Sequence, residues 1–530
     1  MTEKHPAVTV EMLAAAAACA GLRFSDAELA LMLDGIREYL AQYEQIRGVP
    51  IDNSVPPALM FDPRPPEMMP ATRLSPLPEH AGTSPQAPAN LEELAFAPVT
   101  LLSQLIQSRQ VSSVALTEMY LRRLKRYDPA LRCVVTLTEE LALEQARHAD
   151  AEIAAGRYRG PLHGIPWGAK VLLATRGIRT TWGAAPYADQ VPDHDATVVQ
   201  RLEVAGAVLV AKLTMGELAW GDVWFDGQTK NPWKLDEGSS GSSAGPAAAT
   251  AAGLVGFAIG TETWGSIVSP ATRCRVTGLR PTFGRVSRHG AMALSWSMDK
   301  IGPICRSAED CALVFDAIYG PDGIDGTIVD VPFNWNPSVR LADLRIGYLK
   351  RAFGEARELK AHDEQVFEVL RALGAELIPI ELPEYPIEAM SFILFAEAAA
   401  AFDDLTRSNR DDLLVRQEEH AWPNALRQAR LIPAVEYIQA NRLRTLVMRA
   451  MDTVLADIDV YVGFGATNLL LTNLTGHPAV VVPTGVTDAS EPISITFTGR
   501  LYGEAAALAI AKAYQDATDF HLQRPPMDWV

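Results

Sequence analysis

Apolar positions recur at helical spacing twice near the start of the chain. Val10, Leu13, Ala17 and Ala20 make a weak stripe, and Leu29, Met32, Leu33, Ile36 and Leu40 a stronger one. Such spacing puts the apolar side chains on one face of a helix, and that face has to be covered. Ser25, with Glu28 three residues on, fits a capping box opening the second helix. Residues 1–50 therefore predict an N-terminal helical hairpin packed on the main body. Residues 51–91 change character. The run PPALMFDPRPPEMMPATRLSPLPEHAGTSPQAPAN is rich in proline, which lacks an N–H and forces extended backbone. It predicts a strap or linker, with Leu59, Met60 and Phe61 laying it on the main domain.

From 92 to 530 the pattern alternates between helix and strand. Helical spacing covers 100–108, 112–127 and 138–155, with Thr100 and Ser112 fitting as N-caps of the first two. Short apolar runs at 207–211, 253–259, 345–348, 460–463, 480–483 and 493–497 predict buried strands. Apolar strands between helices imply an α/β domain whose sheet is covered on both faces.

Composition narrows the function. The 530 residues are 48% hydrophobic and carry a net charge of −17, which argues against a nucleic-acid or anionic-membrane binder. The five cysteines are scattered and form no CxxC pair, so neither a disulfide framework nor a zinc ribbon is expected. No apolar run is long enough to cross a bilayer, and the alanine-rich stretch 12–21 follows an acidic residue with no basic flank. A cytoplasmic location is the expectation. The ten histidines show no metal-ligand spacing, so no metal or other cofactor is expected, and His289 and His477 read as structural.

Three segments carry candidate chemistry. In DEGSSGSSAGPAAATAAG, residues 236–253, a Gly/Ser loop feeds an alanine-rich helix. A flexible linker would not run at once into helix and strand, and a phosphate loop would end in Gly-Lys-Ser/Thr. The G-x-S-x-G pattern at 241–245 lacks the buried strand that a nucleophile elbow needs. A loop that presents a serine to another group remains. Downstream, FAIGTETWGSIVSP runs from a strand into a turn holding Ser266. There the N–H groups of Thr263, Trp264, Gly265 and Ser266 are candidates for an oxyanion site. Third, GIPWGAK, residues 164–170, leads through a proline-containing turn to Lys170 and then three apolar residues. Apolar surroundings lower a lysine's pKa and let it act as a base.

In order and spacing these segments resemble the amidase signature family, over about residues 95 to 520. The match continues through GLRPTFGRVSRHG at 278–290, MDKIGPICRSAEDCALVFDAIYG at 298–320 and NLTGHPAVVVPTG at 473–485. The resemblance implies a large mixed, twisted sheet covered by helices, and a Ser-Ser-Lys triad. Lys170 matches the lysine, Ser242 the bridging serine after a cis peptide bond, and Ser266 the nucleophile. Ser243 matches the second serine, whose hydrogen-bond support the family draws from an Asp and an Arg beside the nucleophile. Three departures stand out. Trp264 occupies a position that is usually glycine, Glu262 and Val268 replace an Asp and an Arg beside the nucleophile, and Val171 replaces an Asp after the lysine.

Seven of the ten tryptophans fall between 167 and 296, and Trp264 and Trp220 are the candidates to line a pocket for an aryl or apolar substrate. The resemblance implies hydrolysis of a small-molecule amide, with esters and carbamates open to the same acyl-enzyme. It adds a homodimer as a further expectation. Residues 8–55 also resemble the small third subunit of the bacterial aminoacyl-tRNA amidotransferase. That raises, as the second reading, the glutamine-hydrolysing component of such an enzyme. A non-catalytic ligand-binding relative is the third.

Overall fold

Alternate residues of the central strands go to two different cores. Val480 and Val482 pack into one core and Val481 into the other, and Phe257 and Ile259 are divided from Ala258 in the same way. In a pleated strand neighbouring side chains point to opposite faces, so both faces of this sheet are covered. The structure, a computed structural model, describes residues 8–19, positions 26, 29, 30 and 33, and residues 86–528 apart from 355–358, 431, 466, 488 and 489.

Among the described residues the main sheet has eleven strands. They are β1 (Val134–Leu137), β2 (Pro166–Lys170), β3 (Val208–Leu213), β4 (Phe257–Glu262), β5 (Thr277–Arg280), β6 (Lys300–Cys305), β7 (Ile346–Leu349), β8 (Leu377–Ile380), β9 (Val460–Phe464), β10 (Ala479–Val486) and β11 (Pro492–Gly499). Their spatial order is β1-β3-β2-β4-β6-β5-β10-β11-β9-β7-β8. β2 runs parallel to β3 and β4, β7 runs parallel to β8 and β9, and the other pairs are antiparallel. The expected α/β sheet with two covered faces is present, and it is mixed.

The three predicted helices appear as Val99–Gln107, Ser113–Leu131 and Glu139–Ala154. Ser112 caps the second, its hydroxyl accepting from Ala115 N. Thr100 does not cap the first. Pro98 holds that position, and the Thr100 N–H instead donates to Asp310 Oδ1 at 3.3 Å. The segment expected to be a proline turn before Lys170 is strand β2, buried throughout. Of the N-terminal hairpin, Val10–Cys19 is helical and Leu13 is buried. Positions 26, 29, 30 and 33 are also helical, with Leu29 buried. The rest of the hairpin, and the strap up to residue 85, lie outside the described residues.

Candidate active site

The Gly/Ser loop, β2 and the end of β4 meet around one buried amine. Lys170 closes β2, next to β4 in the sheet, and its side chain is fully buried. Its Nζ lies 2.8 Å from Ser242 Oγ, 3.1 Å from Ser243 Oγ and 2.8 Å from Thr261 Oγ1. Burial pushes the Lys170 pKa down to about 7, and the Asp299 and Glu262 carboxylates offset only part of that.

Ser242 and Ser243 sit where the loop enters helix Ala244–Ala251, all of whose residues are buried. Only small side chains fit there, since a Cβ on Gly245 would lie 2.5 Å from Thr214 N. The Gly241–Ser242 peptide bond is cis. Ser243 holds the N-cap position, yet its hydroxyl makes no capping bond. It accepts from Thr261 N and donates to Thr261 O, both at 3.1 Å. A cap serine turned away from its own helix marks a side chain committed elsewhere.

Ser266 follows β4 on a turn and is half-buried. Its carbonyl accepts from Ser243 N at 3.1 Å, which ties the two serine segments together. Glu262 organises this turn from below. Its Oε2 accepts from Ile267 N (2.8 Å) and Val268 N (2.9 Å), and its Oε1 from Arg280 Nη1 and Asn473 Nδ2, both at 2.9 Å. Burial alone would raise the Glu262 pKa. The Arg280 guanidinium and these donors bring it down to about 2. Glu262 is paired with Arg280 and holds the Ile267 and Val268 N–H groups, whereas Ser243 Oγ is held by Lys170 Nζ and by Thr261 N and O and is not hydrogen-bonded to Glu262 or Val268. The N–H groups of Trp264, Gly265 and Ser266 have no acceptor among the described residues.

Glycine is required at Gly265, where φ is +88° and a Cβ would meet Leu469 Cδ1 and Ser269 Oγ at 2.9 Å. Trp264 has no positive φ, so a side chain there strains nothing. The residue is 38% exposed. Val171 is buried, with its N–H on Leu213 O at 2.9 Å.

Beside Thr261 and Thr263 opens a cavity of about 130 Å³. Leu172, Ala219, Met292, Leu294 and Ile301 give it apolar walls. Arg288 also reaches it, but its guanidinium is held by Asp325 at 3.1 Å. Trp296 is part of the wall; Trp264 and Trp220 are not. Trp220 packs edge-on against Trp422, ring centroids 4.9 Å apart. His289 lines the cavity, whereas His477 is buried away from it, and burial takes its pKa to about 3.

Thr261 and Asp299 lie beside these groups; both fall inside segments quoted for their family likeness, but nothing in the sequence singles either one out. Their places follow from strand register, which sets Lys300 opposite Glu262. Among the described residues no three His, Cys, Asp or Glu side chains group as metal ligands, and no helix is long and apolar enough to cross a membrane.

The amidase family profile matches residues 115–464. The chain is similar to a glutamyl-tRNA(Gln) amidotransferase subunit of a Marinomonas species, with 35% identity over 81% of this chain and 98% of that one. The corresponding protein of Methylococcus capsulatus is also 35% identical, over 79% and 96%. Among solved structures, the peptide amidase of Stenotrophomonas maltophilia superposes with a TM-score of 0.74 at 30% identity, covering 83% of this chain and all of that one. With a matching profile and relatives along most of its length, the chain belongs to the amidase family of amide-hydrolysing enzymes.

Proposed function

We propose that the chain hydrolyses neutral, apolar or aryl carboxamides through an acyl-enzyme on Ser266, with Ser242 and Lys170 as its proton relay. The arrangement around Lys170 Nζ carries this reading. A neutral amine has two N–H bonds and one lone pair. Ser243 Oγ and Thr261 Oγ1 accept the two N–H bonds, and the lone pair faces the Ser242 hydroxyl at 2.8 Å. Lys170 then takes the Ser242 proton as Ser242 takes the proton of Ser266, and Ser266 Oγ attacks the carbonyl. The N–H groups of the turn at 263–266 receive the oxyanion. The proton returns through the relay to the leaving amine, and water, deprotonated by the same route, releases the acid. Esters and carbamates pass through the same intermediate.

The apolar cavity walls, and an arginine already paired with Asp325, favour an uncharged acyl group. A second reading, glutamine hydrolysis within an amidotransferase, draws on the likeness to the amidotransferase proteins. The purified chain, assayed alone on anilide, ester and glutamine, separates the two: anilide turnover is expected and glutamine turnover is not. A fluorophosphonate probe should label the wild type and not Ser266→Ala. Equal labelling of both removes Ser266 from the mechanism.

A further inference from the structure

Asp299 sits where the Ser266 turn meets the cavity wall. The β4–β6 register sets Lys300 opposite Glu262, which brings the preceding residue, Asp299, to Thr263. Asp299 Oδ1 accepts from Thr263 Oγ1 at 2.5 Å. Its Oδ2 accepts from Leu294 N at 2.8 Å and Ser295 N at 3.0 Å. Thr263 opens the turn that carries Ser266, and Leu294 belongs to the cavity wall. One carboxylate therefore joins the two surfaces between which an acyl group would lie.

Asp299 lines the same cavity as Thr261, whose Oγ1 lies 2.8 Å from Lys170 Nζ, and at that remove its charge favours the Lys170 ammonium, as does that of Glu262. Glu262 is bound to Arg280, and Lys300 Nζ donates to Met298 O. Arg288, bound to Asp325, is the cation that bears on Asp299, whose carboxyl is pushed up by burial and brought part of the way back by its bonds to Thr263, Leu294 and Ser295. A relay ending on Lys170 makes a buried ammonium as the acyl bond forms. Without a fixed negative charge close by, that ammonium is costly.

We propose that Asp299 is a positioning residue of the reaction: its carboxylate supplies the counter-charge for Lys170 once Lys170 has taken the relay proton, and through Thr263 it locks the Ser266 turn against the acyl cavity. This rests on the relay proposed above.

Asp299→Asn keeps the shape and an acceptor oxygen but removes the charge. With the charge gone, the Lys170 ammonium is less favoured and the neutral base persists to lower pH. The acid limb of kcat/KM for an anilide should move down by about one pH unit, and plateau kcat should fall roughly tenfold. Thr263→Val keeps the charge and cuts the tie, so kcat should fall with the limb in place. Should Asp299→Asn fail to fold, Asp299→Ser must give the same shift.

An unmoved limb in a folded Asp299 variant overturns the counter-charge, and an unchanged kcat in Thr263→Val overturns the lock. The relay is tested apart from both. A wild type without an acid limb near neutrality sinks the relay, whereas a wild-type limb that Asp299→Asn leaves in place sinks the role of Asp299 alone.

Discussion

Among the described residues two buried lysines have their pKa brought to about 7 by desolvation, and one of them faces the serines of the proposed relay. Lys212, on β3 beside β2, gives its N–H bonds to Leu173 O, Thr175 Oγ1 and Thr180 Oγ1. It anchors the segment that follows Lys170. Around Lys170 one of the three close positions is the Ser242 hydroxyl, 2.8 Å from Nζ. A lowered pKa makes a base available, and the hydroxyl in front of it decides whether it is used. Because the neutral amine is the proposed base, kcat/KM should rise with pH, bend near 7 and level off above. Lys170→Met should lower kcat by about 10³-fold or more, as loss of a triad member does, and abolish the bend. Anilide turnover measured from roughly pH 5 to 9 reads both effects. A bend that survives in Lys170→Met assigns it to another group. The two serines and the lysine were legible in the sequence as an ordered set. Thr261 and Asp299 were not, because each acquires its place only when β4 is aligned with its neighbours.

At the scale of elements, the turn after β4 is rigid because a buried carboxylate holds it. Glu262 engages two N–H groups of the turn, and it meets Arg280 on β5 and Asn473 of helix Leu469–Leu474. Arg280 in turn donates to His477 O, so β5 and the segment after that helix share the brace. Glu262→Gln would leave Arg280 buried without its counter-charge, at a cost of about 3 kcal/mol. Urea unfolding should show that loss, and kcat should fall because the candidate oxyanion N–H groups loosen. A loss under about 1 kcal/mol would mean that Asn473 and the backbone donors suffice without the charge. The sequence marked Glu262 as unusual but not as supported, since its cation comes from a different strand. The same limit hid the start of helix Val99–Gln107. Thr100 has the right chemistry for a cap, but Asp310, 210 residues away, accepts its N–H. Ser112 caps with its own hydroxyl, a local bond, and was legible for that reason.

Across the whole molecule, the proposed reacting groups and the wall of the cavity come from different parts of the chain. Lys170, Ser242 and Ser266 lie on or beside β2 and β4, whereas the wall around Trp296 is fixed by later helices. Glu397, on helix Phe392–Ala401, accepts from Ser295 Oγ and Ser297 Oγ, both at 2.7 Å, and from Tyr437 OH at 2.8 Å. Arg444, on helix Ala434–Val454, donates to Ser297 Oγ and Ser297 O, both at 2.8 Å. The residues on either side of Trp296 are therefore clamped by a buried network whose members depend on one another. Glu397→Ala leaves two serine hydroxyls, the Ser297 N–H and a tyrosine short of an acceptor and removes a negative charge that acts on Arg444, and should cost about 3 kcal/mol or more of stability. Its effect on turnover tells what the clamp is for. If these helices only shape the cavity, KM for an apolar anilide should rise about tenfold while kcat and the acid limb stay near wild type, because ground-state and transition-state binding are lost together. If kcat falls as well, the clamp also holds Asp299, whose Oδ2 accepts from the N–H of Ser295. The later helices would then be part of what times the proton transfer, and substrate choice and base strength in this enzyme would not be separable.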